Sequence, residues 1–224
     1  MDRKYYEAYD DRYRQVHGEN LQWFASTPSA IVGEVLKRYN INGRILEIGC
    51  GEGRDAGYLL ERGYDVLATD VSPAAVAYAR KRFQEFAERF QVLDCLNEQL
   101  NEKFDFLYAV AVVHMLVPDE DRNGFYRFIR EHLAPEGKAL ICTMGNGEWE
   151  MQSDITTAFD VQKRIHEATG REVEIAGTSC RMVGWETFRR ELAENGLAIV
   201  EQGITAVEPD FPQMMYALVE KQKM

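Results

Sequence analysis

Residues 44–53, Arg-Ile-Leu-Glu-Ile-Gly-Cys-Gly-Glu-Gly, constrain this chain more than any other stretch: a short apolar run bearing one acid, Glu47, enters a loop carrying Gly49, Gly51 and Gly53. Glycine permits positive φ and lets a ligand lie directly on the main chain, which is what a turn at the carboxyl end of a buried strand requires. Residues 54–62 read as a helix whose first amides face the same spot. A second apolar run, Tyr64-Asp-Val-Leu-Ala-Thr-Asp70, closes on an acid. That acid follows the glycine loop at close to the roughly 20 residues by which a βαβ unit brings a carboxylate to a ribose. The spacing points to a ligand containing a nucleoside.

The surrounding pattern alternates. Strands are expected near 44–49, 64–69, 89–93, 104–110 and 138–144, with helices near 54–62, 73–88 and 119–132 between them. Ser72-Pro73 supplies a cap followed by proline at the first helical position, and Pro135-Glu136-Gly137 a turn before the fifth strand. Such alternation implies parallel strands joined by right-handed crossovers. Ahead of it, Tyr5, Tyr6, Tyr9 and Tyr13 recur at helical spacing, and Thr27-Pro28 starts a second helix ending near Asn42-Gly43.

After the fifth strand the alternation breaks. Residues 145–183 read as an insertion with a helix around Thr157 to Thr169, stopped by Gly170, and a short strand around Glu172 to Ala176. A helix from about Trp185 to Asn195 and strands at Leu197 to Ile204 and Met214 to Glu220 follow. The short link between those strands is too small for a parallel crossover, so they are expected to pair as an antiparallel hairpin. The expected fold class is α/β, a Rossmann-like, doubly wound, seven-stranded sheet, mostly parallel, with an antiparallel last strand. The whole of 1–224 is read as one domain: a helical cap over 1–43, a cofactor-binding core over 44–144, a substrate-covering insertion over 145–183, and a helix with the terminal hairpin over 184–224.

Composition narrows the partners. The formal charge of −11 disfavours nucleic acid, whose affinity for proteins rests largely on Lys and Arg against phosphate. No apolar run approaches the roughly 20 residues of a membrane span, and the start, Met-Asp-Arg-Lys-Tyr-Tyr-Glu, lacks the apolar stretch of a secretory signal. A cytoplasmic location, no membrane partner and a monomeric or homodimeric state are the resulting expectations. Cys50, Cys95, Cys142 and Cys180 form no CxxC pair, and His17, His114, His132 and His166 lack the spacing of a helical metal site, so no metal is expected.

Two nucleoside ligands compete. Gly51-Glu-Gly53-Arg-Asp-Ala56 also fits the dinucleotide fingerprint G-x-G-x-x-[GA], which would make the chain an NAD(P)-dependent reductase. Against this, Glu47 and Glu52 would repel a pyrophosphate, and a third acid, Asp94, follows the third strand in Val92-Leu-Asp94-Cys95. Acids ending three successive strands suit a cationic nucleoside without phosphate.

With these motifs in place the chain resembles a class I S-adenosylmethionine-dependent methyltransferase of the small-molecule type, whose acid-x-Gly-x-Gly-x-Gly pattern is matched by Glu47, Gly49, Gly51 and Gly53. The resemblance runs through residues 30–144, and the final hairpin agrees with the family's reversed seventh strand. Lys103-Phe-Asp105-Phe-Leu-Tyr-Ala-Val resembles its fourth motif, and Leu133-Ala-Pro-Glu-Gly137 its Leu-Lys-Pro-Gly-Gly turn with Glu136 in place of one glycine. Arg54-Asp55, Leu59-Leu60 and Gly63-Tyr64-Asp-Val bear a weaker likeness to the tellurite and thiopurine methyltransferase branch. The resemblance implies S-adenosylmethionine as cofactor, with Gly49 and Gly51 against its methionine portion. Asp70, with Val71 beside it, would take the ribose hydroxyls. Asp94 would face the adenine amino group and the Cys95 amide a ring nitrogen, while main chain near Ala109 would meet the ammonium. Cys50 is read as a small filler whose amide matters, and Asp105 as support for the loop.

Methyl transfer from a sulfonium is an in-line displacement that needs orientation more than acid–base chemistry. Should the acceptor need to lose a proton, His114, just past the fourth strand, is the candidate base. The N-terminal helix, the 145–183 insertion and the Glu208-Pro-Asp210-Phe-Pro loop are expected to cover the strands' carboxyl edge. Tyr5, Tyr6, Tyr9, Tyr13, Trp23, Phe24 and Trp149 are candidate apolar walls, with Arg181 beside Cys180, and His166, for an anionic group. The resemblance leaves a catalytically silent S-adenosylmethionine-binding protein as the alternative to an enzyme acting on a small-molecule acceptor.

Overall fold

The computed structural model describes residues 3–23, 27–166 and 168–223. Helices α1 (Ala8–Gly18) and α2 (Ala30–Arg38) precede an alternation of β1 (Ile45–Ile48), α3 (Arg54–Leu60), β2 (Val66–Asp70), α4 (Pro73–Arg82), β3 (Phe90–Val92), β4 (Phe104–Val110), α5 (Asp119–His132) and β5 (Leu133–Met144). The insertion contributes β6 (Met151–Gln152), β7 (Val161–Ile165), β8 (Glu172–Ala176) and β9 (Arg181–Met182). The chain then continues as α6 (Trp185–Glu194), β10 (Leu197–Val207) and β11 (Phe211–Lys221).

The main sheet has seven strands in the order β10-β11-β5-β4-β1-β2-β3. Its first five sequence strands run parallel, and β11 is antiparallel to both β5 and β10. Every residue of β1 and β2 is buried, because helices cover both faces and such strands become near-continuous apolar runs. One face packs under α5 and α6 through Phe125, Phe128, Phe188 and Leu192. The other packs under α2, α3 and α4 through Val35, Leu36, Leu59 and Val76. Strand order reverses direction between β1 and β4, and ligands in open α/β sheets bind outside the carboxyl ends at that switch point.

Four local expectations are corrected. The helix expected around Thr157 to Thr169 is instead the strand β7, paired antiparallel with β8 from Val161 opposite Ala176 to Ile165 opposite Glu172. Tertiary packing decides it: Val173 and Ile175 of β8 bury themselves against Val16 of α1, and β7 pairs along the other edge of β8. Second, α2 begins at Ala30, past Thr27-Pro28, because the Ser29 amide and hydroxyl both donate to Asp55, at 2.6 and 2.7 Å. It ends at Arg38, short of Asn42-Gly43, with Asn40 in the left-handed region. Third, α4 stops at Arg82; the Phe83 backbone leaves the helix and its ring stacks on Phe90. Fourth, β5 already starts at Leu133, so Pro135-Glu136-Gly137 is an irregularity inside the strand. The last hairpin is antiparallel as expected, with longer strands and a tighter link at residues 208–210.

Candidate active site

The carboxyl ends of β1, β2, β3 and β4 converge on a cleft of about 1020 Å³, counting its open mouth. Its floor is the glycine turn. Gly49, Gly51 and Gly53 all have positive φ, and a Cβ on Gly51 would stand 2.6 Å from the Tyr13 hydroxyl, so this stretch of main chain has to stay bare. The loop is anchored from both sides. Gly49 and Cys50 donate to the Thr69 carbonyl at 2.7 and 2.9 Å, and the Gly51 amide donates to Asp70 at 2.8 Å.

Asp70 ends β2 with its second oxygen accepting from the Ser72 amide at 2.8 Å. Burial pushes its carboxyl up to about 6, against the pull of those two amides. A carboxylate offers about four acceptor sites, so capacity is left for further donors. Asp94, beyond β3, accepts from the Tyr6 hydroxyl at 2.9 Å, from Asn97 at 2.7 Å and from the Leu96 amide at 3.0 Å. Glu47 lies under the turn and accepts from the Ala56 amide at 3.1 Å. Burial and neighbouring Asp55 hold its carboxyl well above the usual range. Asp105, at the far end of β4, accepts from the Arg44 amide at 2.8 Å, bracing the entry to β1.

Helix α1 roofs the cleft and is fastened at both ends. Asp10 accepts from the Ser72 hydroxyl at 2.7 Å and the Ala74 amide at 2.9 Å, at the start of α4. Tyr9 donates to the Ser179 carbonyl at 2.8 Å, and His17 meets Glu52 at 2.9 Å. The Tyr5 hydroxyl joins the Val117 amide to Asp121.

Of the residues singled out from sequence, Glu47, Gly49, Cys50, Gly51, Asp70, Val71, Asp94, Cys95, Tyr9 and Tyr13 line this cleft. The others lie elsewhere. Gly53 sits behind the turn against Phe90 and Ala79. Ala109 is buried within β4, while its successors Val110 and Ala111 reach the cleft. His114 is buried behind the lining, edge-on to Phe211; burial, with Arg122 nearby, lowers its imidazole to about 3. Trp23 packs with Val16 and Val173, and Trp149 is 62% exposed on the surface. Arg181 is bound by the Val117 carbonyl at 2.7 Å and Asp119 at 2.6 Å. His166 bridges Thr169 and the Gln22 carbonyl, and Phe24 lies outside the described residues.

Several lining residues escaped the sequence reading: Arg54, Val112, Met115 and Leu116. Tyr6, read from sequence within the tyrosine stripe, and Phe211, in the loop expected to cover the strand ends, line the cleft as well.

Residues 45–137 match a family described as a methyltransferase domain. Over those residues the chain is similar to S-adenosylmethionine-dependent methyltransferases. Among its relatives, a 2-heptyl-1-hydroxyquinolin-4(1H)-one methyltransferase of Mycobacteroides abscessus is 25% identical over 143 residues, 60% of this chain and 63% of that protein. A probable S-adenosyl-L-methionine-dependent methyltransferase, TehB, of Haemophilus influenzae is 28% identical over 119 residues, 50% of this chain and 41% of its own length. The chain spans about half the length of the curated relatives it matches. The glycopeptide N-methyltransferase MtfA complexed with S-adenosyl-L-methionine shares the fold at a TM-score of 0.65 and 22% identity, over 88% of each chain. Among the described residues no helix is long and apolar enough to cross a membrane, and no group of three or more His, Cys, Asp or Glu is placed to hold a metal.

Proposed function

We propose that this chain transfers a methyl group from S-adenosylmethionine to a small-molecule acceptor. The observation that carries the reading is the pairing of Asp70 with the Gly51 amide at 2.8 Å, which sets a buried acid beside bare main chain at the switch point of the sheet. The remaining charges agree, since Glu47, Glu52, Asp55 and Asp94 also line the cleft and Arg54 is its one described cation. A cationic sulfonium nucleoside suits that lining; a pyrophosphate does not. A relative acting on a quinolone supports a small acceptor.

In this reading Asp70 holds the ribose hydroxyls, Asp94 faces the adenine amino group, and the glycine turn supports the methionine portion. When bound, the nucleoside supplies an electrophilic methyl on a positively charged sulfur. The protein's part is orientation and exclusion of water: α1 and the turn before it cover the cleft through Tyr9, Tyr13 and Tyr6, and the acids keep cationic charge favourable there. Calorimetry with S-adenosylhomocysteine and NADH is the test. Heat on titrating the first and none with the second is expected, and the reverse would end the proposal.

The Asp70 carboxyl adds a pH signature. Its ordinary value is raised to about 6 by burial, so as pH falls through 6 the group takes up a proton and loses acceptor capacity. Affinity for S-adenosylhomocysteine is expected to be level above pH 7 and to fall by about tenfold per unit below 6. A flat profile from pH 7.5 to 5 in titration calorimetry would remove Asp70 from the binding role.

A further inference from the structure

Every cation near the cleft is already committed. Arg54, on its wall, pairs with Asp210 at 3.0 Å and approaches Asp55 at 3.6 Å, while donating to the Ser29 hydroxyl. Arg12, behind Tyr9, donates to the Ala176 and Gly177 carbonyls, and Arg181 is held by Asp119. A carboxylate or phosphate entering the cleft would meet five acids and would have to break one of these pairs to find a partner. The net charge of −11 repels it further on approach.

The wall beyond the glycine turn is apolar and aromatic: Val112, Met115, Leu116, Phe211 and Tyr9. No imidazole is among the described lining residues; His114 is buried behind the wall, edge-on to Phe211. A hydroxyl acceptor has to shed its proton as it attacks. The described lining offers no imidazole for that, and its carboxylates are engaged, Glu47 with the Ala56 amide, Glu52 with His17, Asp55 with Ser29, Asp70 with the Gly51 and Ser72 amides and Asp94 with Tyr6. An uncharged nitrogen needs none.

Resting on the methyltransferase reading, we infer that the acceptor is an uncharged aryl amine or aromatic ring nitrogen carried on an apolar body, and that anionic acceptors are excluded. In the step, the nitrogen lone pair forms the new N–C bond while the C–S bond breaks. The bonding pair stays on sulfur, which becomes a neutral thioether. Positive charge passes to the methylated nitrogen, where the same carboxylates still stabilise it; an amine then gives its proton to water.

The experiment uses the full chain, trideuteromethyl-labelled S-adenosylmethionine and four acceptors on one bicyclic aromatic frame: naphthylamine, isoquinoline, naphthol and naphthoate. Label incorporation is read by mass spectrometry, with S-adenosylhomocysteine binding measured alongside. Methylation of the amine or ring nitrogen is expected, with naphthoate at least about 100-fold slower. Faster labelling of naphthol or naphthoate, or no labelling of any of the four while S-adenosylhomocysteine still binds, would overturn the inference. Loss of that binding itself would instead strike the methyltransferase reading beneath it.

Discussion

Asp70→Ala is expected to weaken S-adenosylhomocysteine binding by about 10²- to 10³-fold while leaving the chain folded. A carboxylate receiving two hydroxyl hydrogen bonds contributes about 1.5–2 kcal/mol through each. The pair is therefore worth about 3–4 kcal/mol, and each 1.4 kcal/mol is about tenfold in affinity. The substitution also strips the Gly51 and Ser72 amides of their acceptor, at 2.8 Å each, so the glycine turn loosens at the same time. Asp70→Asn keeps one acceptor oxygen and is expected to fall between the two. Titration calorimetry gives the affinities, and a melting curve of the unliganded variants shows whether the fold survives. An affinity for Asp70→Ala within threefold of the parent chain would mean that the ribose lies elsewhere.

The sheet core was legible because it obeys local rules. Ile45–Ile48 and Val66–Asp70 are apolar runs closed by glycine or acid, and Ser72-Pro73 caps α4 with the Ser72 hydroxyl accepting from the Ala75 amide as the dipeptide implies. The insertion was legible only in part. Val-Gln-Lys-Arg-Ile at 161–165 is exposed along its whole length, so no buried face stamps a period on it, and the pairing with β8 decides between helix and strand. The cleft divides in the same way. Residues on the strand ends, Glu47, Asp70 and Asp94, sit where motif spacing puts them, and the tyrosine stripe announces the cover, whereas Val112, Met115 and Leu116 reach the cleft through long-range packing that leaves no local trace. Asp10 shows why: its carboxylate serves a helix start 62 positions away. Arg181 and His114 illustrate the opposite case, in which chemistry inviting a functional role is absorbed into structure by neighbours distant in sequence.

That absorption leads to the largest stability effect expected in the chain, at Glu191. Arg122 is buried and donates to both Glu191 oxygens, at 2.8 and 2.7 Å, and to the Val113 carbonyl at 2.7 Å. Tyr126 donates to the same carboxylate at 2.8 Å. A buried pair of this kind adds little net stability over an apolar substitute, because desolvation offsets the attraction, but removing one partner strands the other's charge. Glu191→Ala leaves the Arg122 guanidinium without its counterion between α5 and α6. The expected cost is about 3–5 kcal/mol, which for a chain of this length lowers Tm by about 6–20 °C. Replacing both residues, Arg122→Met with Glu191→Leu, removes the stranded charge and is expected to recover more than half of the loss. Thermal unfolding followed by circular dichroism measures all three. The Val113 and Leu116 carbonyls that Arg122 holds belong to the segment carrying Met115 and Leu116 into the cleft. The double variant should therefore regain stability while acceptor turnover stays impaired. Full recovery of both would show that Arg122 holds the fold together without shaping the cleft wall.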